Sequence, residues 1–172
     1  MIARRAGLLG AASALAGCGF HPLYAGGSQG AASTELAAIY VGIMGERSGQ
    51  LLRQALQRRF EGAGTGVAKT YELTGGLGVA AEAIALQRDS SGTRVRLIGS
   101  APWVLSTMGL TPTPLTQGTA RSIDGYNVFN QQYFAADLES DAAQRRIAES
   151  IADQITIQVA SFLKRRAAAK PA

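Results

Sequence analysis

Apolar residues from Leu36 to Met44 fall on both parities of an alternating pattern: Ala37, Ile39, Val41 and Ile43 on one, Ala38, Tyr40, Gly42 and Met44 on the other. A short run of that kind predicts a strand covered by a helix on one face and by another contact opposite. The period then changes. Between Arg47 and Phe60, Leu52, Leu56 and Phe60 recur at every fourth position beside Leu51 and Ala55, while Arg53, Gln57 and Arg58 point elsewhere. This spacing predicts an amphipathic helix, with Ser48 as its N-cap and Gly62 or Gly64 as its stop.

From Lys69 to about Tyr126 the pattern is β-like. An extended run starts at Tyr71–Leu73, meets Gly75-Gly76 and Gly78, and resumes over Val79–Gln87, so the glycines predict a bulge or bend. Asp89-Ser90-Ser91-Gly92 predicts a hairpin turn. In the next strand, Thr93–Leu105, Val95, Leu97 and Gly99 alternate with Arg94, Arg96 and Ile98. Pro102 has no N–H to donate, which predicts an edge position or a bulge. After a loop at Thr111–Pro114, Leu115–Ile123 forms a weaker last strand whose exposed face carries Gln117, Thr119 and Arg121.

A long helix follows from about Glu139 to Arg166. Ile147, Ile151, Ile155 and Val159 make its apolar stripe, extended by Phe162 and Leu163. Arg145, Glu149 and Asp153 stand at i, i+4 spacing on another face, worth a few tenths of a kcal/mol. Lys164, Arg165 and Arg166 occupy the end where the helix dipole favours cations, and Asp137, Glu139 and Asp141 the end where it favours anions. The order β-α-β-β-β-α predicts an α+β two-layer sandwich, an about four-stranded sheet with two helices on one face.

The chain before Leu36 has a different character. Arg4 and Arg5 precede an uncharged small and apolar run from Ala6 to Gly17, too short for a membrane span of about 20 residues and suited to a secretory signal. Its end, Leu15-Ala16-Gly17-Cys18, looks like a bacterial lipobox, in which the cysteine thiol takes a diacylglycerol and becomes the first mature residue. Gly19 after it is compatible with delivery to the outer membrane. The expected organisation is a signal peptide over 1–17, a lipidated N-terminus and tether over 18–34, one α+β domain over 35–166 and a flexible tail over 167–172. Loss of the leader takes two arginines from the 17 basic residues and none of the 12 acidic ones. The mature body is only mildly basic.

Candidate chemistry is sparse. A single cysteine and a single histidine, His21, argue against an internal disulfide, a Cys-rich zinc site and a His-based triad. Gly62–Gly66 lacks the Lys-Ser/Thr of a phosphate loop, and no dinucleotide fingerprint follows a strand. No enzyme, metal or cofactor is expected. Arg88, Arg94 and Arg96 flank the hairpin turn. Planar guanidinium groups suit a phosphate-bearing glycolipid; they also keep an edge strand soluble, and both roles stay open. Nucleic acid is not expected as a partner, because export separates the protein from it and no aromatic residues interleave the basic ones.

Two stretches resemble one family. Cys18-Gly19-Phe20-His21-Pro22-Leu23-Tyr24 is similar to the mature start of the lipopolysaccharide-assembly lipoproteins (LptE). So is the stretch from Tyr126 to Ala148, which runs through Asn130-Gln131-Gln132-Tyr133 and Asp137-Leu138-Glu139-Ser140. The resemblance implies a non-enzymatic outer-membrane lipoprotein, lipid-anchored on the periplasmic side. It implies that the body plugs and helps assemble an LptD-type β-barrel translocon and binds lipopolysaccharide bound for the outer leaflet. Cys18 carries over as the acylated residue, and Arg88 as the nearest match to a basic lipopolysaccharide contact near the hairpin tip. A second basic position of the family falls near Ala135-Ala136, where this sequence departs from the pattern. The alternative expectation is an outer-membrane lipoprotein serving as a structural or adaptor module in another envelope complex.

Overall fold

A computed structural model describes residues 31–61, 66–86, 92–128 and 133–169. The expected leader, Cys18, most of the tether, Arg88 and the Asp89–Ser91 turn lie outside the described residues, as do Gly62 and Gly64. The elements are α1 (Ala31–Ala37), β1 (Ile39–Val41), α2 (Glu46–Glu61), β2 (Tyr71–Gly75), β3 (Gly78–Leu86), β4 (Gly92–Thr107), β5 (Pro114–Asn127) and α3 (Tyr133–Ala168). The fold is α+β, a five-stranded sheet with its helices on one side.

The long strand β4 organises the sheet. One of its edges pairs with β5 from Arg94↔Asn127 to Ser106↔Pro114. The other pairs with β3 as far as Gly78↔Ser100, then with β2 from Gly75↔Trp103 onward. β2 and β3 are therefore one extended run lying end to end, split at Gly76-Leu77, which accounts for five strands where about four were expected. Pro102 lies opposite this split. Its carbonyl accepts from Gly76 N at 3.3 Å, and a Cβ at Gly75 would sit 2.6 Å from the same oxygen. The proline is thus tolerated in the central strand, not at an edge, because no continuous neighbour there needs its missing donor.

Other boundaries move for local reasons. Leu36 and Ala37 belong to α1 and leave β1 only three residues, paired in parallel with β2. Lys69 Nζ caps this junction, donating to Ala37 O at 2.8 Å and Ile39 O at 3.2 Å. Ser48 is not an N-cap, since α2 already begins at Glu46; its hydroxyl donates across to Leu77 O at 2.6 Å. α3 starts at Tyr133, six residues before Glu139, and its first turn carries no acid. Asp141 is instead held by Arg47 Nη2 at 2.6 Å.

The core is a single layer between sheet and helices. Gly49, Leu52, Ala55, Leu56 and Phe60 of α2 are buried, as are Ile147, Ile151, Ile155, Val159 and Leu163 of α3. They meet Leu73 of β2, Leu97, Ala101, Trp103 and Leu105 of β4, and Ala120 of β5. The helical stripes and the odd residues of β4 from Leu97 to Leu105 are thus buried as the pattern predicts, with Val95 and Phe162 partly so.

Candidate functional site

The parity that sends Leu97, Ala101 and Leu105 into the core leaves Arg94, Arg96, Ile98, Ser100, Pro102 and Val104 on the opposite face. Register adds Gln117, Thr119, Arg121 and Ile123 from β5, Glu82 from β3 and Thr74 from β2. No described helix packs on this face. It mixes cations, short polar groups and aliphatics, with Ile84 and Ile123 about half or more exposed.

The candidate arginines separate by their partners. Arg96 is engaged: its Nε and Nη2 reach Glu82 Oε2 at 3.2 and 2.6 Å, across strands at registered positions. The pair ties β3 to the central strand and is worth about 0.2–1 kcal/mol at this exposure. Arg94 makes no ion pair among the described residues. It lines a cavity of about 350 Å³ with Gly125, Tyr126, Asn127, Ala135, Ala136 and Glu139. The structure therefore brings Arg94 to the Ala135-Ala136 segment, which sequence spacing alone did not connect.

Two apolar residues at the start of α3 were not singled out from the sequence. Phe134 and Leu138 are 88% and 73% exposed on the first turns of α3. Each precedes a buried stripe residue, Ala143 or Ile147, by nine positions, about two and a half turns, which places the pair half a turn from the core side. Their i, i+4 spacing was the available signal, hidden by starting the helix at Glu139. A guanidinium without an ion pair among the described residues, and exposed apolar side chains at the same end of the molecule, suit an amphiphile with an anionic headgroup.

A second depression, about 600 Å³, opens where β2 gives way to β3, between Thr74, Gly76, Val104, Gln117 and Thr119. None of its lining residues titrates. Among the described residues, no group of three or more His, Cys, Asp or Glu could hold a metal, and no helix is long and apolar enough to cross a membrane.

Perturbed ionisations sit on the covered side and are structural. Burial pushes the Glu149 carboxyl up, but the hydrogen bond from Arg59 and the charges of Arg59 and Arg58 outweigh it and hold the group below its ordinary value. Asp124 behaves alike: burial raises it, while Arg146 Nε at 2.6 Å and Gly125 N at 2.7 Å lower it further. Arg59 also reaches Asp153 at 2.7 Å. The Arg145, Glu149 and Asp153 face of α3 therefore holds α2, through Arg58 and Arg59, rather than pairing along its own helix. Because the folded carboxyls are lowered, their stabilisation is complete above the unfolded value, about 4.5 for Glu, and is lost as pH falls through the folded value. Melting temperatures should fall below about pH 4.5 in the wild type, and Arg59→Met, losing about 1 kcal/mol at neutral pH, should flatten that fall. An unchanged acid profile in Arg59→Met would contradict this role.

The β5 edge away from β4 is blunted from the same side. Gln154 Nε2 of α3 donates to Arg121 O at 2.9 Å, occupying a backbone acceptor that a further strand would need.

Comparison with known proteins agrees with this architecture. The family model described as "LptE: Lipopolysaccharide-assembly" matches residues 36–159. A protein of Caulobacter crescentus CB15 assigned as a lipoprotein has a similar fold, with a TM-score of 0.63 at 23% identity over 83% of this chain and 100% of that one. The rare lipoprotein B of Shewanella oneidensis gives 0.51 at 14% identity over 74% and 96%. A minor lipoprotein of Acinetobacter baumannii gives 0.55 at 14% identity over 72% and 90%. At these identities the structural matches speak to the fold. No curated protein matches the chain in sequence.

Proposed function

The chain belongs to the LptE lipopolysaccharide-assembly family, and on that premise we propose that it is an outer-membrane lipoprotein, acylated at Cys18, that plugs an LptD-type β-barrel and binds lipopolysaccharide in transit. The family match across the folded body carries this reading. The uncovered sheet face supports it physically: barrel lumens are polar, and a plug must offer them a broad surface of hydrogen-bonding groups without catalytic machinery. Thr74, Ser100, Gln117, Thr119 and Arg121 provide such a surface. Arg94, in its cavity with Ala135, Ala136 and Glu139, suits the phosphates of such a ligand, and Phe134 and Leu138 expose apolar surface on the same helix start. The function is binding and assembly, not catalysis.

The test is affinity purification of the tagged chain from detergent-solubilised outer membranes, together with its depletion from cells. One large, heat-modifiable barrel at equal stoichiometry, and loss of surface lipopolysaccharide on depletion, are the expected results. Elution without a barrel and normal surface display would overturn the reading, and recovery with other envelope proteins would favour an adaptor. Arg94→Glu should lower the lipopolysaccharide recovered with the complex about tenfold while leaving the barrel bound, as expected for a charge-assisted contact of 1.5–3 kcal/mol.

A further inference from the structure

The end of the molecule opposite Arg94 combines three features that the proposed function does not use. The first is the β4–β5 connection, residues 108–113. Thr107 N donates to Thr113 O and Met108 N to Thr70 O, both at 2.9 Å, and Thr113 N donates to Thr107 Oγ1 at 2.9 Å. The tip backbone is thereby fixed to the sheet, with Pro112 and Pro114 stiffening it further. Its apolar side chains nevertheless point into solvent, Met108 at 47% and Leu110 at 107% relative exposure.

The second feature is cationic. α3 runs antiparallel to β5, as the contacts Asp124–Arg146 and Arg121–Gln154 mark out, so its last turns lie beside the start of β5. The Arg166 guanidinium sits 5.9 Å from the centre of the Tyr71 ring, and Tyr71 pairs with Thr107, the residue before the tip. Lys164, Arg165 and Arg166 are exposed and join no ion pair among the described residues. Glu35 lines a small cavity with Arg166, and Glu72, registered with Ser106 on the other face of the sheet, is a second acidic group at this end.

The third feature is the route of the chain. That same cavity places α1 against Tyr71 and Leu163, so the polypeptide enters the described fold at this end. Twelve residues separate Cys18 from Ala31, enough to reach at most about 40 Å.

We infer that this end is a membrane-contact surface: Met108 and Leu110 enter the interfacial region of an anionic phospholipid leaflet while Lys164, Arg165 and Arg166 lie against its headgroups. The inference rests on acylation of Cys18, which keeps the leaflet within reach. A rigid apolar tip beside unpaired cations has the two attractions that peripheral membrane binding combines, and phospholipid phosphates supply the complementary charge. A second protein seated here would need to shield the apolar tip and answer the cations at once; a leaflet does both without a dedicated site.

The experiment uses the full mature chain reconstituted in vesicles of phosphatidylethanolamine and phosphatidylglycerol. Acylation blocks the thiol of Cys18, so Leu110→Cys offers a single site for an environment-sensitive fluorophore, and Phe134→Cys is the control at the far end. Mass spectrometry reports the acyl mass and the number of labels, so failure of the lipid anchor is seen separately, as a second labelled thiol. With the anchor intact, the probe at Leu110→Cys should shift to the blue and be quenched by brominated acyl chains several-fold more than at Phe134→Cys. Lys164→Gln with Arg165→Gln should bring that quenching down to near the Phe134→Cys level. An aqueous spectrum at Leu110→Cys in an acylated protein, or equal insertion into neutral phosphatidylcholine vesicles, would overturn the inference.

Discussion

Gly99→Val is expected to destabilise the body by about 3 kcal/mol or more, through overpacking at the closest approach of helix and sheet. Gly99 lies at the centre of β4 on the covered face. A Cβ there would stand 2.3 Å from Ile147 Cγ2, 3.1 Å from Ile151 Cδ1 and 3.4 Å from Leu77 Cδ1. Ile147 and Ile151 are fully buried, so neither can swing into solvent to make room. Valine is otherwise a good strand residue, so the sign is set by this contact and not by backbone preference. A fall in melting temperature on the order of 10 °C is the expected reading. Gly99→Ala should lose less, and Ile147→Ala alone should cost about 2–5 kcal/mol through the cavity it leaves. The double variant Gly99→Ala with Ile147→Ala should be more stable than the sum of the two losses, because the new methyl fills space the isoleucine vacated. Strict additivity would mean that α3 does not rest on Gly99.

The same glycine shows what the sequence could and could not disclose. Val95, Leu97 and Gly99 alternating with Arg94, Arg96 and Ile98 made the covered face of β4 legible, because a period of two sorts residues by side before any partner is known. Likewise the stripes of α2 and α3 were legible from their spacing. Pairings across the chain were not. Nothing local to Pro102 says that its neighbouring strand breaks opposite it, and nothing local to Ser48 says that Leu77 O lies within reach of its hydroxyl. Arg145, Glu149 and Asp153 fit an intrahelical ladder as well as an interhelical one; only the placement of α2 decides for Arg58 and Arg59. At the candidate site the limits were similar. Arg94 and Arg96 look equivalent in sequence, and the register that gives Arg96 to Glu82 distinguishes them. Phe134 and Leu138 were obscured because Asp137, Glu139 and Asp141 resemble the acidic first turn of a helix that in fact starts earlier. The family resemblance reached further than local pattern, since Tyr126–Ala148 spans the end of β5 and the start of α3, where the cavity lies.

Cys18→Ser is expected to abolish lipid attachment completely, the largest functional effect of any single change in the chain. The reaction assigned to this residue needs a nucleophilic thiolate, and Cys18 is the only cysteine. A serine hydroxyl has nearly the same size, so recognition of the preceding Leu15-Ala16-Gly17 is retained while the bond-forming atom is lost. Metabolic labelling with a tagged fatty acid should give no signal in the variant, and residual labelling would exclude Cys18 as the acylation site. The described core is built from Leu36 to Leu163, so the melting temperature should match the wild type. Partitioning should change. No described helix is able to span a bilayer, and a tip of two apolar residues with three cations has only marginal affinity for a leaflet by itself. Acyl chains on Cys18, as proposed, would convert that weak contact into an intramolecular one at high effective concentration. Combining Cys18→Ser with the labelled Leu110→Cys variant should therefore return the probe to water at protein concentrations where the acylated chain holds it in lipid. A probe still in lipid in protein that takes up no fatty acid would mean that the cationic end binds membrane unaided, and that the anchor serves delivery rather than orientation.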